Sequence, residues 1–225
     1  MEVQCLIVGP IETNCYLLCD EARKECAIID PGDEAERIAV AVRQSGCSPT
    51  AILLTHGHYD HTDGVAGLRR AYPGLPVYLN AGDTAAHGAP GMLFPPVPDT
   101  IDYGEGDKVQ VGSLTVDVIA TPGHSAGSVS LICGDALFSG DTLFAGDCGR
   151  TDLWGGDMNQ MLRSLGRLGN LEGDYKVYPG HMEASELSKE RQWNPWVRQG
   201  MRLLRSEGEA RGAEGAFSEK RGGSL

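Results

Sequence analysis

The stretch "LLTHGHYDHTDG", residues 53–64, holds three of the six histidines of this chain of 225 residues. The apolar run "TAILL" that leads into it is typical of a buried β-strand, so the histidines begin where a strand ends. In extended backbone, residues two positions apart point the same way. His56 and His58 are therefore placed to bind one metal ion, while Asp60 and His61 turn onward towards a second position.

Three other ligand-type residues each stand in a glycine-rich turn that follows a predicted strand: His124 in "ATPGHSAGS", Asp141 in "FSGDTLF" and His181 in "VYPGHME". Such a turn presents a side chain without burying it. Imidazole and carboxylate together suit zinc, iron or manganese, and one carboxylate can bridge two ions. We therefore predict two divalent ions, with zinc expected and iron or manganese as alternatives. We assign His56, His58 and His124 to one ion, Asp60, His61 and His181 to the other, and Asp141 to the position between them.

The pattern of the remaining chain predicts the fold. The runs "VQCLIVG", "NCYLLCD" and "ECAIID" read as an antiparallel opening to a sheet. In the second half, "KVQVG", "LTVDVIAT", "SVSLICG" and "ALFSG" read as strands, "GDMNQMLRSLGRLG" as a helix and "YKVYPG" as a last strand. Two successive halves, each a sheet followed by helix, predict an α+β fold that forms a four-layer αββα sandwich.

We predict one domain over residues 1–200, with residues 201–225 forming the end of a C-terminal helix and a flexible tail. Residues 211–225 are glycine-rich and lack an apolar face, so we expect them to be frayed. Residues 88–106 are rich in proline and glycine and predict a long surface loop near the entrance of the site. His87, in "TAAHGAP", fits no ligand pattern and is expected to be a surface residue.

Composition narrows the classes of function. The formal charge of −12, from 31 acidic against 19 basic residues, disfavours nucleic acid as a partner. Seven cysteines without a C-x-x-C pair indicate reduced thiols rather than a disulfide framework. No basic n-region precedes the first apolar run, and no run approaches the ~20 apolar residues that cross a bilayer. We therefore expect a cytoplasmic enzyme that acts on a small molecule, without a membrane or nucleic-acid partner.

The ligand order, His56-x-His58-x-Asp60-His61 followed by His124, Asp141 and His181, resembles the metallo-β-lactamase superfamily. The resemblance spans about residues 2–198. The segment "IIDPGD" is similar to the first motif of this family, and this implies that Asp30 supports the metal site from behind rather than binding metal. The family fold is an αββα sandwich with a dinuclear centre at one edge, which agrees with the strand and helix pattern.

Within the superfamily, "FSGDTLFAGDCGRTDL" and "VYPGH" followed by "NPW" resemble the short glyoxalase II-like hydrolases, which cleave thioesters of glutathione. The stretch "CGRTDL" is also similar to the persulfide dioxygenases, which hold one iron. Two positions depart from glyoxalase II, because Asp152 and Glu183 stand where that family has tyrosines. The long helical extension that supplies cationic glutathione contacts is also missing. Arg150 is then the one matched basic residue, and we assign it to substrate binding.

The predicted reaction is thioester hydrolysis of the hydroxyacylglutathione type by a metal-bound hydroxide, with Asp60 as the catalytic residue that orients the hydroxide or takes its proton. The alternatives are an iron-dependent persulfide dioxygenase, and a lactonase or other ester hydrolase on the same fold. A non-catalytic scaffold with this fold would be expected to have lost ligands, and none is missing here.

Overall fold

The structure is a computed structural model that describes residues 1–88 and 93–219, with the backbone alone for residues 211–219. Two six-stranded sheets face each other, and helices cover the outer face of each sheet. This is the predicted αββα sandwich. Among the described residues, no helix combines the length and apolar character needed to span a bilayer.

The first sheet contains the strands of the first half in chain order. Its first three strands pair antiparallel, as predicted, and the next three join in parallel. Its strands are β1 (Glu2–Val8), β2 (Thr13–Asp20), β3 (Glu25–Ile29), β4 (Ser48–Leu53), β5 (Val77–Tyr78) and β6 (Thr100–Ile101). Its helices are α1 (Ala35–Ser45), α2 (Tyr59–Thr62), α3 (Val65–Ala71) and α4 (Ala81–Thr84).

The strands of the second sheet also lie side by side in chain order, apart from two short strands that pair with each other in a separate hairpin. Its strands are β7 (Lys108–Val111), β8 (Leu114–Ala120), β9 (Val129–Cys133), β10 (Ala136–Gly140), β13 (Lys176–Pro179) and β14 (Ser185–Glu186). A short hairpin consists of β11 (Leu143–Phe144) and β12 (Asp147–Cys148), and the helices are α5 (Met158–Gly169), α6 (Leu187–Trp193) and α7 (Pro195–Glu219).

Strand β2 shows why the layers form, since all eight of its residues are buried. Leu17 points towards the helices of the first layer, while its neighbours Tyr16 and Leu18 point into the space between the sheets. There the Tyr16 ring lies 5.4 Å from that of Phe138, on β10 of the second sheet. Because successive side chains of β2 point to opposite faces of the sheet, this one strand contributes to two apolar cores.

Helix α7 continues further than predicted. It packs closely on α5, where a Cβ on Gly166 would lie only 2.5 Å from the carbonyl of Gly200, and Arg163 pairs with Glu207 at 2.7 Å. The predicted boundary at residue 200 falls inside this helix and stays a prediction. The backbone is helical to Glu219, where a frayed tail was expected, because alanine, glutamate and arginine favour helix. Residues 220–225, and residues 89–92 of the predicted entrance loop, lie outside the described residues.

Candidate metal centre

Four strand ends bring the predicted ligands to one edge of the sandwich. The segment after β4 carries His56 and His58, and the single turn of α2 carries Asp60 and His61. The other three ligands follow β8, β10 and β13, at residues 124, 141 and 181. All seven side chains are buried or half-buried, while His87, the remaining histidine, is half-buried and belongs to none of the ligand groups.

The first group consists of His56, His58 and His124, whose ligand atoms lie within 4.8 Å of one another. The Nδ1 atom of His58 is 2.8 Å from Nε2 of His124. The opposite ring nitrogen of His124 contacts the backbone oxygen of Arg150 at 2.8 Å, and Nδ1 of His56 contacts the hydroxyl of Thr55 at 3.1 Å. These outer contacts orient the rings of His56 and His124 so that the other nitrogen of each faces the group.

The second group consists of Asp60, His61 and His181, also within 4.8 Å of one another. Nε2 of His181 lies 3.2 Å from a carboxylate oxygen of Asp60. Nδ1 of His61 is 3.0 Å from Asp30, whose carboxylate also accepts from the backbone N–H and the hydroxyl of Thr55. Asp30 therefore sits behind a ligand-type histidine, the position that the resemblance implied for it.

Asp141 lies between the two groups. One of its oxygens is 3.4 Å from Nε2 of His124, and the other is 3.4 Å from Nε2 of His61. The first oxygen is also 3.6 Å from Nε2 of His181. A single carboxylate thus contacts members of both groups.

Four buried polar atoms of this cluster have no hydrogen-bond partner among the described residues: Nε2 of His56, His58 and His61, and Oδ1 of Asp141. A buried polar atom without a partner is costly, and such atoms are rare in folded proteins. Imidazole nitrogen and carboxylate oxygen are the donors that zinc, iron and manganese take. Divalent cations therefore fit the residues present.

The protonation states of His56, His58 and Asp141 suit metal binding. Burial lowers the pKa of His56 well below its ordinary value and lowers that of His58 to about 3, so both rings are neutral. Burial opposes ionisation of Asp141, but the neighbouring His61 lowers the pKa of this carboxyl to about 2. Neutral imidazole and ionised carboxylate are the forms that bind metal. Burial alone would lower the pKa of His61, yet the carboxylates of Asp141 and Asp30 raise it well above its usual range. The cluster therefore attracts positive charge.

Asp83, at the start of α4, is a supporting residue that the sequence patterns did not reveal. It is fully buried and accepts hydrogen bonds from the backbone N–H of Gly57 at 2.8 Å, the hydroxyl of Ser125 at 2.7 Å and the N–H of Gly127 at 2.7 Å. It therefore ties the loop of the first two histidines to the loop of His124. Its partners are 26, 42 and 44 residues away in sequence, so no local motif indicates the role.

The loop that carries His181 is held by β2 from the other half of the chain. The side chain of Asn14 donates to the carbonyls of Pro179 at 3.0 Å and Met182 at 2.8 Å, and the hydroxyl of Tyr16 donates to Pro179 at 2.7 Å. The turn itself requires glycine, because a Cβ on Gly180 would lie 2.2 Å from a carboxylate oxygen of Asp141.

A cavity of about 350 Å³ opens over the cluster. Its lining includes predicted ligands from both groups, apolar side chains, and Arg150. The guanidinium of Arg150 makes two hydrogen bonds to Asp152, at 2.7 and 2.8 Å. Arg150 thus lies where a substrate contact was predicted, but it already has an ionic partner. The apolar lining residues are Ile11, Tyr59, Leu93, Phe144 and Leu153.

Comparison with known proteins identifies relatives along most of the chain. Residues 8–181 match the metallo-beta-lactamase superfamily. A probable metallo-hydrolase from Bacillus subtilis is 36% identical over 204 residues, which cover 84% of this chain and 94% of the relative. A hydroxyacylglutathione hydrolase from Alkalilimnicola ehrlichii is 43% identical over 167 residues, which cover 74% of this chain. The matched region spans 60% of the length of that enzyme.

Two solved structures share the fold over almost their whole length. A B3 metallo-beta-lactamase superposes with a TM-score of 0.78 at 32% sequence identity, covering 87% of this chain and 99% of the other. A protein solved in a di-iron-bound form superposes with a TM-score of 0.72 at 38% identity, covering 86% of this chain and 99% of the other.

Proposed function

Because the chain belongs to the metallo-β-lactamase superfamily, we propose that it is a metal-dependent hydrolase that cleaves thioesters of the hydroxyacylglutathione type. The observation that carries the proposal is the set of seven histidine and aspartate side chains in two groups joined by Asp141. The 43% identity to a hydroxyacylglutathione hydrolase supports the choice of thioester. The acidic charge of −12 supports a small-molecule substrate rather than nucleic acid, and we propose a cytoplasmic location.

Two divalent ions bound by the two groups, which we propose to be zinc, would supply a nucleophile by lowering the pKa of water from about 15.7 to near 7. Asp60 is the residue of the chain that we assign to proton handling. Burial favours its neutral form, but the adjacent imidazoles of His181 and His61 hold its pKa below the ordinary range, so the carboxylate is ionised. An ionised carboxylate facing the cavity can orient a water and accept its proton. A thiolate leaves without protonation, so thioester cleavage needs no acidic group here.

The alternative that a specific observation favours is iron chemistry. A protein 38% identical to this chain was solved in a di-iron-bound form, and "CGRTDL" resembles the persulfide dioxygenases. A lactonase or another ester hydrolase would use the same cluster, since the metal site does not define the acyl group.

Metal analysis and anaerobic kinetics test the proposal. We expect two divalent ions per chain at saturation, and we expect the zinc-loaded protein to release free thiol from S-lactoylglutathione under nitrogen. We expect little oxygen uptake by the iron-loaded protein with glutathione persulfide. Rapid oxygen uptake without thioester cleavage by any metal form would reject the hydrolase in favour of the dioxygenase.

A further inference from the structure

The wall of the cavity above the metal cluster is apolar where a substrate would extend outward. Ile11 and Tyr59 are 45% and 38% exposed, although both are large apolar or aromatic side chains. Leu93, Phe144 and Leu153 line the same cavity. Exposed apolar surface that faces a cavity gains stability when an apolar group covers it. These residues therefore favour a substrate with uncharged, apolar groups next to the scissile bond.

Arg150 is the one arginine or lysine on this wall within the described part of the chain. Its Nε and one terminal nitrogen both donate to Asp152, at 2.7 and 2.8 Å. This two-point geometry is the one by which an arginine recognises a substrate carboxylate. Asp152 therefore occupies the face of the guanidinium that a carboxylate of the substrate would use, and the pair as a whole is neutral.

Glutathione brings two carboxylates and one ammonium group, so its thioesters carry a net negative charge. The whole chain carries −12, so the long-range field of the protein opposes a negatively charged thiol portion. A negatively charged thiol portion thus meets no unpaired arginine or lysine on the part of the wall that the described residues form. An uncharged thiol portion avoids this repulsion and still covers the apolar side chains.

We propose, on the basis of the thioester hydrolase function proposed above and as a refinement of its substrate class, that Asp152 is a specificity-determining residue: by pairing with Arg150 it makes glutathione thioesters poorer substrates than thioesters with an uncharged, apolar thiol portion. The reaction is unchanged, since water adds its oxygen to the acyl carbon, the carbon–sulfur bond breaks, one proton of the water passes to the leaving sulfur, and a carboxylate, a thiol and one proton are released. Only the recognition of the leaving thiol differs.

Two substrates that share one acyl group separate recognition from chemistry: S-lactoylglutathione, and the S-lactoyl thioester of N-acetylcysteamine, which is uncharged. With the metal-loaded protein we expect kcat/KM to be at least about ten-fold higher for the uncharged substrate. Asp152→Ala frees Arg150. The ratio of kcat/KM for the glutathione thioester to kcat/KM for the uncharged thioester should therefore rise about five-fold. That factor corresponds to about 1 kcal/mol, the attraction of two unit charges about 4 Å apart in water.

The double variant Arg150→Ala, Asp152→Ala should lose this gain, because it removes the freed cation. Added salt should also weaken the gain, since both side chains are exposed, at 61% and 68%. Asp117→Ala is the matched control, because it opens another exposed ion pair, with Lys108, on strands that do not line the cavity. It should leave both rates and their ratio unchanged.

The outcomes separate this inference from the function on which it rests. Preference of the unmodified protein for the glutathione thioester, or an unchanged ratio in Asp152→Ala, would overturn the role of Asp152 and leave the hydrolase standing. Failure of the metal-loaded protein to cleave either thioester would reject the thioesterase function, and the role of Asp152 would fall with it.

Discussion

Replacing Asp83 with alanine tests how the metal centre is held, because this carboxylate is the shared acceptor of two ligand loops. The substitution leaves the N–H groups of Gly57 and Gly127 and the hydroxyl of Ser125 without their acceptor in a fully buried place. The hydroxyl of Ser125 keeps a second contact, to Ser128 at 2.7 Å. The two N–H groups lose the only side-chain acceptor seen for them among the described residues.

The cost can be estimated from these contacts. An unsatisfied buried donor costs about 1–3 kcal/mol, so two N–H groups cost about 2–6 kcal/mol. Part of this is offset, because burial raises the pKa of Asp83 and the carboxylate is itself unfavourably placed. Water can also enter the space that the side chain leaves. We expect the free energy of unfolding to fall by about 2–4 kcal/mol.

Urea unfolding of the metal-free protein measures this loss, and metal titration measures its effect on the site. Asp83→Ala should lower the affinity for the ion assigned to His56, His58 and His124, because the two loops that carry these histidines are no longer joined by the Asp83 carboxylate. Asp83→Asn retains one acceptor oxygen and should fall between the alanine variant and the original protein. Asp102→Ala is the control, since Asp102 is an acceptor for α4 at Ala81 but touches neither ligand loop.

Asp83 does not hold the two ligand loops together if the free energy of unfolding of Asp83→Ala lies within about 0.5 kcal/mol of that of the original protein and the variant binds two ions with unchanged affinity. Equal losses in Asp83→Ala and Asp102→Ala would also contradict it, because the effect would then belong to α4 rather than to the loops.

The remaining predictions concern the centre and the C-terminus. Asp141→Asn should abolish hydrolysis and lower the metal stoichiometry measured by elemental analysis. His87→Ala should change neither. The reverse pattern would show that the ligand assignment is wrong. Gly180→Ala places a Cβ about 2.2 Å from a carboxylate oxygen of Asp141. We therefore expect kcat to fall at least about 100-fold at saturating metal. Near-normal turnover would mean that this turn can shift freely. Chelation should lower both activity and melting temperature, and added zinc should restore them. Deleting residues 211–225 should leave melting temperature and turnover nearly unchanged, because the packing contact of α7 with α5 through Glu207 is retained; a large drop would show that the deleted segment packs on the body.

The layers of the fold and the identity of the metal-binding candidates follow from local patterns in the sequence. The apolar run along "NCYLLCD" and the strand ends before each glycine turn are local features, so they can be read without knowing where the chain goes. The order of His56, His58, Asp60 and His61 is local in the same way. The strength of the prediction came from repeating this arrangement, a strand followed by a ligand-bearing turn, at four places in the chain.

The way in which those side chains are held, and the surface that a substrate would meet, depend instead on contacts between distant parts of the folded chain. Asn14 binds the backbone at Met182 across 168 residues, and Asp83 joins Gly57 to Gly127. Such contacts leave no periodic trace in the sequence, because they depend on the chain returning to the same place. Even the ion pair between Arg150 and Asp152, only two residues apart, could be identified only from the structure. Sequence spacing allows the pair, but side-chain orientation in an irregular loop is fixed by the fold around it, and so is the charge that a substrate encounters there.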